Sequence, residues 1–309
     1  MTIPARWIIG RGLLGSAVAE TRGDLVFGAA VTWDDPDTAV EDLRRGLDAF
    51  MSTDAESWEI YWCAGKGVTS TPRALLEAEA GVFDAFVASL ESLPLEQGSR
   101  TRVFLASSVG GAYAGSADAP FTELSAPQPS SAYGEVKLRM ESALLGACAT
   151  NGLSAFVARI TNLYGPGQDL GKGQGLISVI VESYVTGRPV SIYVPLDTLR
   201  DYIYVDDCAR IIDAGMRRLA TLPPGTSVRK IVGSMRAVSV GAIMGETARL
   251  RRKPAPITSG QGNAVGQASD LRVVSVVWPD LDALASTTLP EGLGATYRSQ
   301  LRAHMVGTR

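Results

Sequence analysis

The chain has 309 residues, 46% of them hydrophobic and 20% charged, with a net charge of −3. That length holds one large or two modest domains with a real core, and the composition excludes a disordered chain. The charge balance gives no case for nucleic-acid binding, and no apolar run reaches the ~18 residues that a membrane span needs.

Arg6 to Ile9 reads as a short buried strand. It meets Gly10-Arg11-Gly12-Leu13-Leu14-Gly15, and Ser16 to Glu20 then reads as a helix. Strand, G-x-G-x-x-G, helix is the pattern of a dinucleotide site: glycines permit a tight turn and let a pyrophosphate reach the free N–H groups of the helix N-terminus. Asp24 to Thr32 reads as the second strand, followed by Asp34 and Asp35. An acid here would bond the adenosine ribose and favour NAD. Arg11, inside the glycine loop, would instead suit the 2′-phosphate of NADP. The two signals conflict, so the cofactor is expected to be NAD or NADP.

Thr38 to Met51 has Val40, Leu43, Leu47 and Phe50 at helical spacing. Glu59 to Cys63 is a strand ending in Ala64-Gly65-Lys66-Gly67, a small-residue turn at the strand end where open α/β sheets bind ligands. Ala74 to Leu93 is a long helix, and the strand Arg102 to Ala106 delivers Ser107 and Ser108 to the same edge. A glycine-rich loop, Gly110 to Gly115, and a polar loop with Pro120, Pro127 and Pro129 lead to a helix running to about Thr150. That helix carries Tyr133 and Lys137 on one side, one turn apart. A nearby ammonium favours a phenolate. Alone, such a pair is most simply two polar residues on a solvated face.

Ser154 to Arg159 is another strand, left through Ile160 to Gly167. The alternation of strands and helices predicts a parallel sheet with helices on both faces. Beyond it, Gln168 to Gly175 and Ser259 to Ala268 read as loops, and Leu176 to Thr186, Val240 to Leu250 and Pro290 to His304 as helices. Val190 to Val194 reads as a short strand. Arg200 to Asp207 precedes a helix to about Arg218, with Asp206 or Asp207 suited to cap it.

Gathered together, Gly10 to Gly15, Cys63 to Gly65, Ser107-Ser108, Tyr133 with Lys137, Arg159 to Gly167 and Arg200 to Asp207 resemble the extended short-chain dehydrogenase/reductase family, in its nucleotide-sugar epimerase/dehydratase branch. The similarity covers the chain to about residue 215 and more loosely the rest. It implies Tyr133 as general acid/base and Lys137 as the residue that depresses its pKa and holds the nicotinamide ribose. It implies Ser108, with Ser107 in reserve, as a hydrogen-bond partner of the substrate oxygen. Asn162 and Arg200 resemble residues that contact a nucleotide diphosphate, whereas Asp206 and Asp207 read as structural. The chain departs from the family pattern at Ile9, where relatives carry glycine, and at Val194 to Asp197, which lacks the usual glycines. Tyr204 stands where many relatives have histidine.

The resemblance also implies the chemistry: a proton leaves a sugar hydroxyl while hydride passes between the same carbon and the nicotinamide. Val109 and Gly110 follow Ser108, where dehydratases of this kind carry an Asp-Glu pair. The one histidine, His304, lies near the C-terminus, which argues against a Ser-His-Asp triad, a His-rich metal site and a cysteine–histidine epimerase-reductase. The reading is therefore a nucleotide-sugar 4-epimerase, with a 4-ketoreductase as the alternative and a non-catalytic NAD(P) sensor as a third possibility. Cys63, Cys148 and Cys208 lack metal-ligand spacing, so no metal is expected and a reduced, cytoplasmic protein is. No signal-peptide pattern is seen at the N-terminus.

The expected fold is a Rossmann-type doubly wound sheet of about seven strands over residues 1–165. A smaller substrate-binding part would span 166–309, with chain exchange between the two. A homodimer is expected through the helix at 74–93 and the helix bearing Tyr133. Leu75, Val82, Phe86 and Leu90 would serve that interface or, equally, a core face. The expected ligand is a small molecule, a nucleotide sugar, with no nucleic-acid or membrane partner.

Overall fold

The computed structural model describes residues 3–169, 175–252, 257–259 and 268–307. Most of the two expected loops, 170–174 and 260–267, lies outside the described residues. The N-terminal half alternates strands and helices: β1 (Ala5–Ile9), α1 (Leu13–Glu20), β2 (Val26–Phe27), α2 (Pro36–Met51), β3 (Trp58–Trp62), α3 (Arg73–Glu91), the short α4 (Leu95–Ser99), β4 (Thr101–Ser108), α5 (Val109–Tyr113), α6 (Ala132–Asn151) and β5 (Ser154–Ile160). There follow β6 (Asn162–Tyr164), α7 (Leu176–Thr186), β7 (Val190–Ile192), β8 (Leu199–Tyr204), α8 (Val205–Leu219) and β9 (Ser227–Val232). The chain closes with β10 (Ala237–Ser239), α9 (Val240–Arg251), β11 (Ile257–Ser259), β12 (Asp270–Leu271) and α10 (Leu289–Gly307).

The main sheet has six parallel strands in the order β2-β1-β3-β4-β5-β9. This differs from the seven expected before residue 165. The stretch after Asp24 pairs only at Val26 and Phe27. The edge strand β9 comes from far along the chain, and β6 leaves the sheet to pair with β8.

Pleating sorts the strand side chains into two layers. Trp7 and Ile9 face α2, α3 and α6, whereas Ile8 faces α1 and α8. Trp7 sits among Phe27, Phe50 and Phe86 at ring-centroid distances of 5.7, 5.7 and 5.8 Å. Gly46 lets α2 approach that ring, since a Cβ there would lie 2.9 Å from it. Emptying such a site costs about 3–5 kcal/mol, more than the ~1 kcal/mol penalty of a glycine inside a helix.

Val82, Phe86 and Leu90 of α3 belong to this core, and Leu75 alone of the four points outward, at 63% exposure. The core face therefore accounts for three of the residues weighed for a dimer interface. A separate cluster, including Tyr164, Ile180, Val181, Ile243 and Leu293, ties α7, α9 and α10 together.

Helix α8 differs from its expected start. Its N-cap is Tyr204, without a side-chain bond, so Asp206 and Asp207 fall in the first turn. Asp207 is buried and bonds Arg210, and it also accepts from the Thr287 backbone N–H and hydroxyl, both at 2.8 Å.

Candidate active site

A cavity of about 980 Å³ opens at the carboxyl ends of β1, β3, β4 and β5. Strand register builds its floor. Ile9 pairs with Trp62, and the Cys63 N–H donates to the Ile9 carbonyl at 2.8 Å, which brings Gly10 against Ala64. Gly10 has φ +89°, and a Cβ there would lie 2.4 Å from the Ala64 backbone. A Cβ on Gly15 would meet the Gly10 carbonyl oxygen at 2.0 Å. These two glycines close the turn from behind.

Gly12 is different. It caps α1 without a side-chain bond, lines the cavity, and has nothing within 4 Å of a notional Cβ. The N-terminus of α1 thus opens onto the cavity, and a helix N-terminus favours an anion. Arg11, Leu13 and Leu14 line the same wall. Ile9, where relatives carry glycine, is buried in the core as the last residue of β1.

Across the cavity, α6 presents Tyr133 and Lys137. Ser131 caps the helix by accepting the Gly134 N–H at 3.3 Å. The Lys137 ammonium lies 5.8 Å from the centre of the Tyr133 ring. Lys137 is only 7% exposed, yet its ammonium makes no hydrogen bond or ion pair with any described residue. It faces the cavity beside Gly65. The stem is buried while the ammonium opens into the cavity, where a ligand or water satisfies it.

Ser108 caps α5, accepting from the Gly111 N–H at 3.1 Å. Gly111 separates Ser108 from Tyr133: a Cβ on it would lie 3.3 Å from Ser108 Cβ and 3.4 Å from Tyr133 Cε1. A Cβ on Gly134 would strike the Gly111 carbonyl oxygen at 2.2 Å. These two glycines let α5 and α6 meet, which sets Ser108 beside Tyr133.

Ser107 has another task. Its hydroxyl donates to Glu141 Oε1 at 2.5 Å. Arg159 grips the same carboxylate from Nε (3.0 Å) and Nη2 (2.7 Å), and its Nη1 donates to the Tyr113 hydroxyl at 2.6 Å. The β4–β5 register, Ser107 opposite Arg159, assembles this cluster. Tyr133, Lys137 and Glu141 succeed one another every four residues down one face of α6. Glu141 was not among the expected site residues; its spacing from Lys137 and the arginine in β5 were the available signals.

Two expected residues lie off the cavity wall. Asp34 is 96% exposed at its side chain and pairs with Lys66 at 3.7 Å. Arg200, in β8, donates to the Leu199 carbonyl at 2.8 Å and to the Ala268 carbonyl, and burial lowers its pKa. Its fork is engaged by backbone, not turned into the cavity. Nor does Arg200 pair with Asp201, which accepts from Thr161, Ser234 and the Arg236 N–H. Asn162 lies on the cavity wall, donating to the Asp201 carbonyl at 2.9 Å.

Burial also shifts several ionisable groups on the wall. Burial raises the phenols of Tyr164 and Tyr204, and pushes Tyr202 up to about 12. Burial likewise raises Asp206 and pushes the Cys63 thiol to about 12. His304 is not on the wall. Among the described residues no group of His, Cys, Asp and Glu could hold a metal, and no helix is long and apolar enough to cross a membrane.

The fold and the cavity define a Rossmann-type doubly wound α/β protein with a Tyr-x-x-x-Lys helix at the carboxyl edge of its sheet. The chain belongs to the NAD dependent epimerase/dehydratase family, whose model matches residues 47–229. It is 35% identical over 113 residues to dTDP-4-dehydro-6-deoxyglucose reductase of Escherichia coli, a match covering 36% of this chain and 35% of that protein. Such matches span about a quarter to a third of the curated relatives' own length.

Among solved structures, MoeE5 in complex with UDP-glucuronic acid and NAD superimposes with a TM-score of 0.76 at 24% identity, over 97% of this chain and 100% of that one. UDP-glucose 4-epimerase of Thermus thermophilus, in complex with NAD, gives a TM-score of 0.73 at 20% identity, over 96% of this chain and 98% of that one. These two likenesses establish the shared fold.

Proposed function

We propose that the chain is an NAD(P)-dependent enzyme that interconverts carbinol and ketone at C4 of a nucleotide sugar, acting as a 4-epimerase. The observation that carries this reading is the convergence of Tyr133, Lys137 and Ser108 on one cavity with the open Gly12 turn. The cavity fits a dinucleotide. Gly12 leaves the α1 N-terminus clear for a pyrophosphate, and the unpartnered Lys137 ammonium suits ribose hydroxyls. When bound, the nicotinamide supplies or accepts the hydride.

The chain's own residues do the rest. Tyr133 moves the proton at the C4 oxygen. Ser108 Oγ, oriented by Gly111, holds that oxygen in place. Lys137 supplies positive charge beside the phenol. Asn162 and the α1 N-terminus take the phosphate groups of the two ligands. Tyr133 is suited to the proton step by its place on the cavity wall, with the Lys137 ammonium 5.8 Å from its ring.

Elimination of water needs an acid pair next to Ser108, where this chain has Val109 and Gly110. Inversion by a cysteine and a histidine lacks both partners, since the Cys63 thiol is pushed up to about 12 and His304 is elsewhere. A second reading, a 4-ketoreductase, draws on the identity to the dTDP-4-dehydro-6-deoxyglucose reductase.

The test is incubation of the purified chain with UDP- and dTDP-sugars, followed by NMR. An epimerase yields the C4 epimer with no net change in the dinucleotide. A ketoreductase consumes one reduced dinucleotide per 4-keto sugar. Dinucleotide binding without either product contradicts both readings.

A further inference from the structure

We infer that the dinucleotide site is built for the 2′-phosphorylated cofactor, NADP(H), with Arg11 as the residue that reads the phosphate. This rests on the reading of the cavity as a dinucleotide site. In a doubly wound fold the adenosine ribose lies beside the glycine loop and the end of β2. An acidic side chain there takes the 2′-hydroxyl of NAD, whereas a nearby arginine accommodates a 2′-phosphate.

The acids near that position are engaged elsewhere. The residues just after β2, Gly28 to Thr32, carry no charge. Asp34 is exposed and pairs loosely with Lys66 at 3.7 Å. Asp35 caps α2, accepting from the Thr38 N–H at 3.0 Å and from its hydroxyl. Asp42 accepts from the Thr32 N–H at 2.9 Å and bonds Arg45. None of the three lines the cavity.

Arg11 does line it, between the two glycines of the turn. The Ser16 hydroxyl donates to the Arg11 carbonyl at 3.0 Å and so fixes the arginine's backbone. Its exposed guanidinium makes no hydrogen bond or ion pair with any described residue. A free planar fork on an anchored backbone matches phosphate oxygens in charge and geometry. A neutral 2′-hydroxyl gives that fork no charge to meet, and none of these three acids lines the wall to bond it.

The experiment measures binding, not turnover. NADPH and NADH are titrated into the full chain by calorimetry, as are 2′,5′-ADP and 5′-AMP. The expected result is NADPH tighter than NADH by about tenfold or more, the size of one or two charge-assisted hydrogen bonds, with the same order for the fragments. Arg11→Met is expected to weaken NADPH about tenfold while leaving NADH within about twofold. Equal or tighter binding of NADH by the wild type overturns the inference and leaves the dinucleotide site standing. So does an equal loss for both dinucleotides in Arg11→Met. Failure of both to bind the wild type overturns the site itself, and the proposed function with it.

Discussion

Ser107 and Glu141 are joined by a 2.5 Å hydrogen bond that fastens the end of β4 to α6, two turns along from Tyr133. Arg159 holds both oxygens of the same carboxylate, and both charged groups are 2% exposed. The cluster fixes α6 against the strand that ends in Ser108. Tyr133 and Ser108 therefore stand on elements clamped to one another beneath the cavity.

Removing Glu141 leaves the Arg159 charge buried and unpaired. Breaking such a pair costs about 3–5 kcal/mol, so Glu141→Ala is expected to lower unfolding free energy by that amount in a urea titration. Glu141→Gln keeps an acceptor and is expected to lose less. A Glu141→Ala protein within about 1 kcal/mol of wild type, the range of an exposed ion pair, contradicts the buried clamp.

Gly111 and Gly134 set the spacing of the site. Gly134→Ala drives a methyl group into the Gly111 carbonyl. It is expected to destabilise by about 1–3 kcal/mol, as overpacking does. Gly111→Ala is milder, with its nearest contacts at 3.3 Å or more. It is expected to lower kcat while leaving dinucleotide affinity unchanged, because the new methyl group lies between Ser108 and Tyr133. Unchanged kcat in Gly111→Ala shows that this spacing does not matter to turnover.

Alkaline pH acts on the thiols of the buried Cys148 and the half-buried Cys63. Burial pushes Cys63 and Cys148 from 9.0 to about 12. The unfolded chain ionises first, so it binds fewer protons than the folded chain above pH 9. Their stabilising contribution is full below that pH and is lost as pH rises toward about 12. Denaturation midpoints are expected to fall from pH 9 upward, and less steeply in a Cys63→Ala/Cys148→Ala protein. Identical slopes in the two proteins contradict the burial argument. At pH 8, Cys63 is expected to resist iodoacetamide, since the thiolate is the nucleophile.

Some of this site was legible in the sequence. The glycine turn and the Tyr133–Lys137 pair are local patterns, fixed by backbone geometry and helix period. The β4 serines were found as a pair, but their division of labour depends on which of them meets Glu141. Asp34 is expected at the site from its place after the second strand, and Arg200 from the family resemblance and the fit of a guanidinium to phosphate. Their side chains answer to Lys66 and to backbone carbonyls, which only the folded chain brings near. Strand β9 was hidden for a related reason: a parallel edge strand far along the chain leaves no local mark of its partner. Glu141 is harder to place from sequence, because a carboxylate on a helix reads as solvated until the facing strand supplies an arginine.

In the proposed reaction Tyr133 moves the proton at the sugar oxygen. Tyr133→Phe, compared with wild type on a nucleotide sugar that the wild type turns over, is the most direct measurement. The expected result is a kcat lower by about 10²-fold or more, the scale of general acid–base catalysis, with the dinucleotide Kd unchanged. A Tyr133→Phe enzyme that keeps near-wild-type kcat contradicts the account.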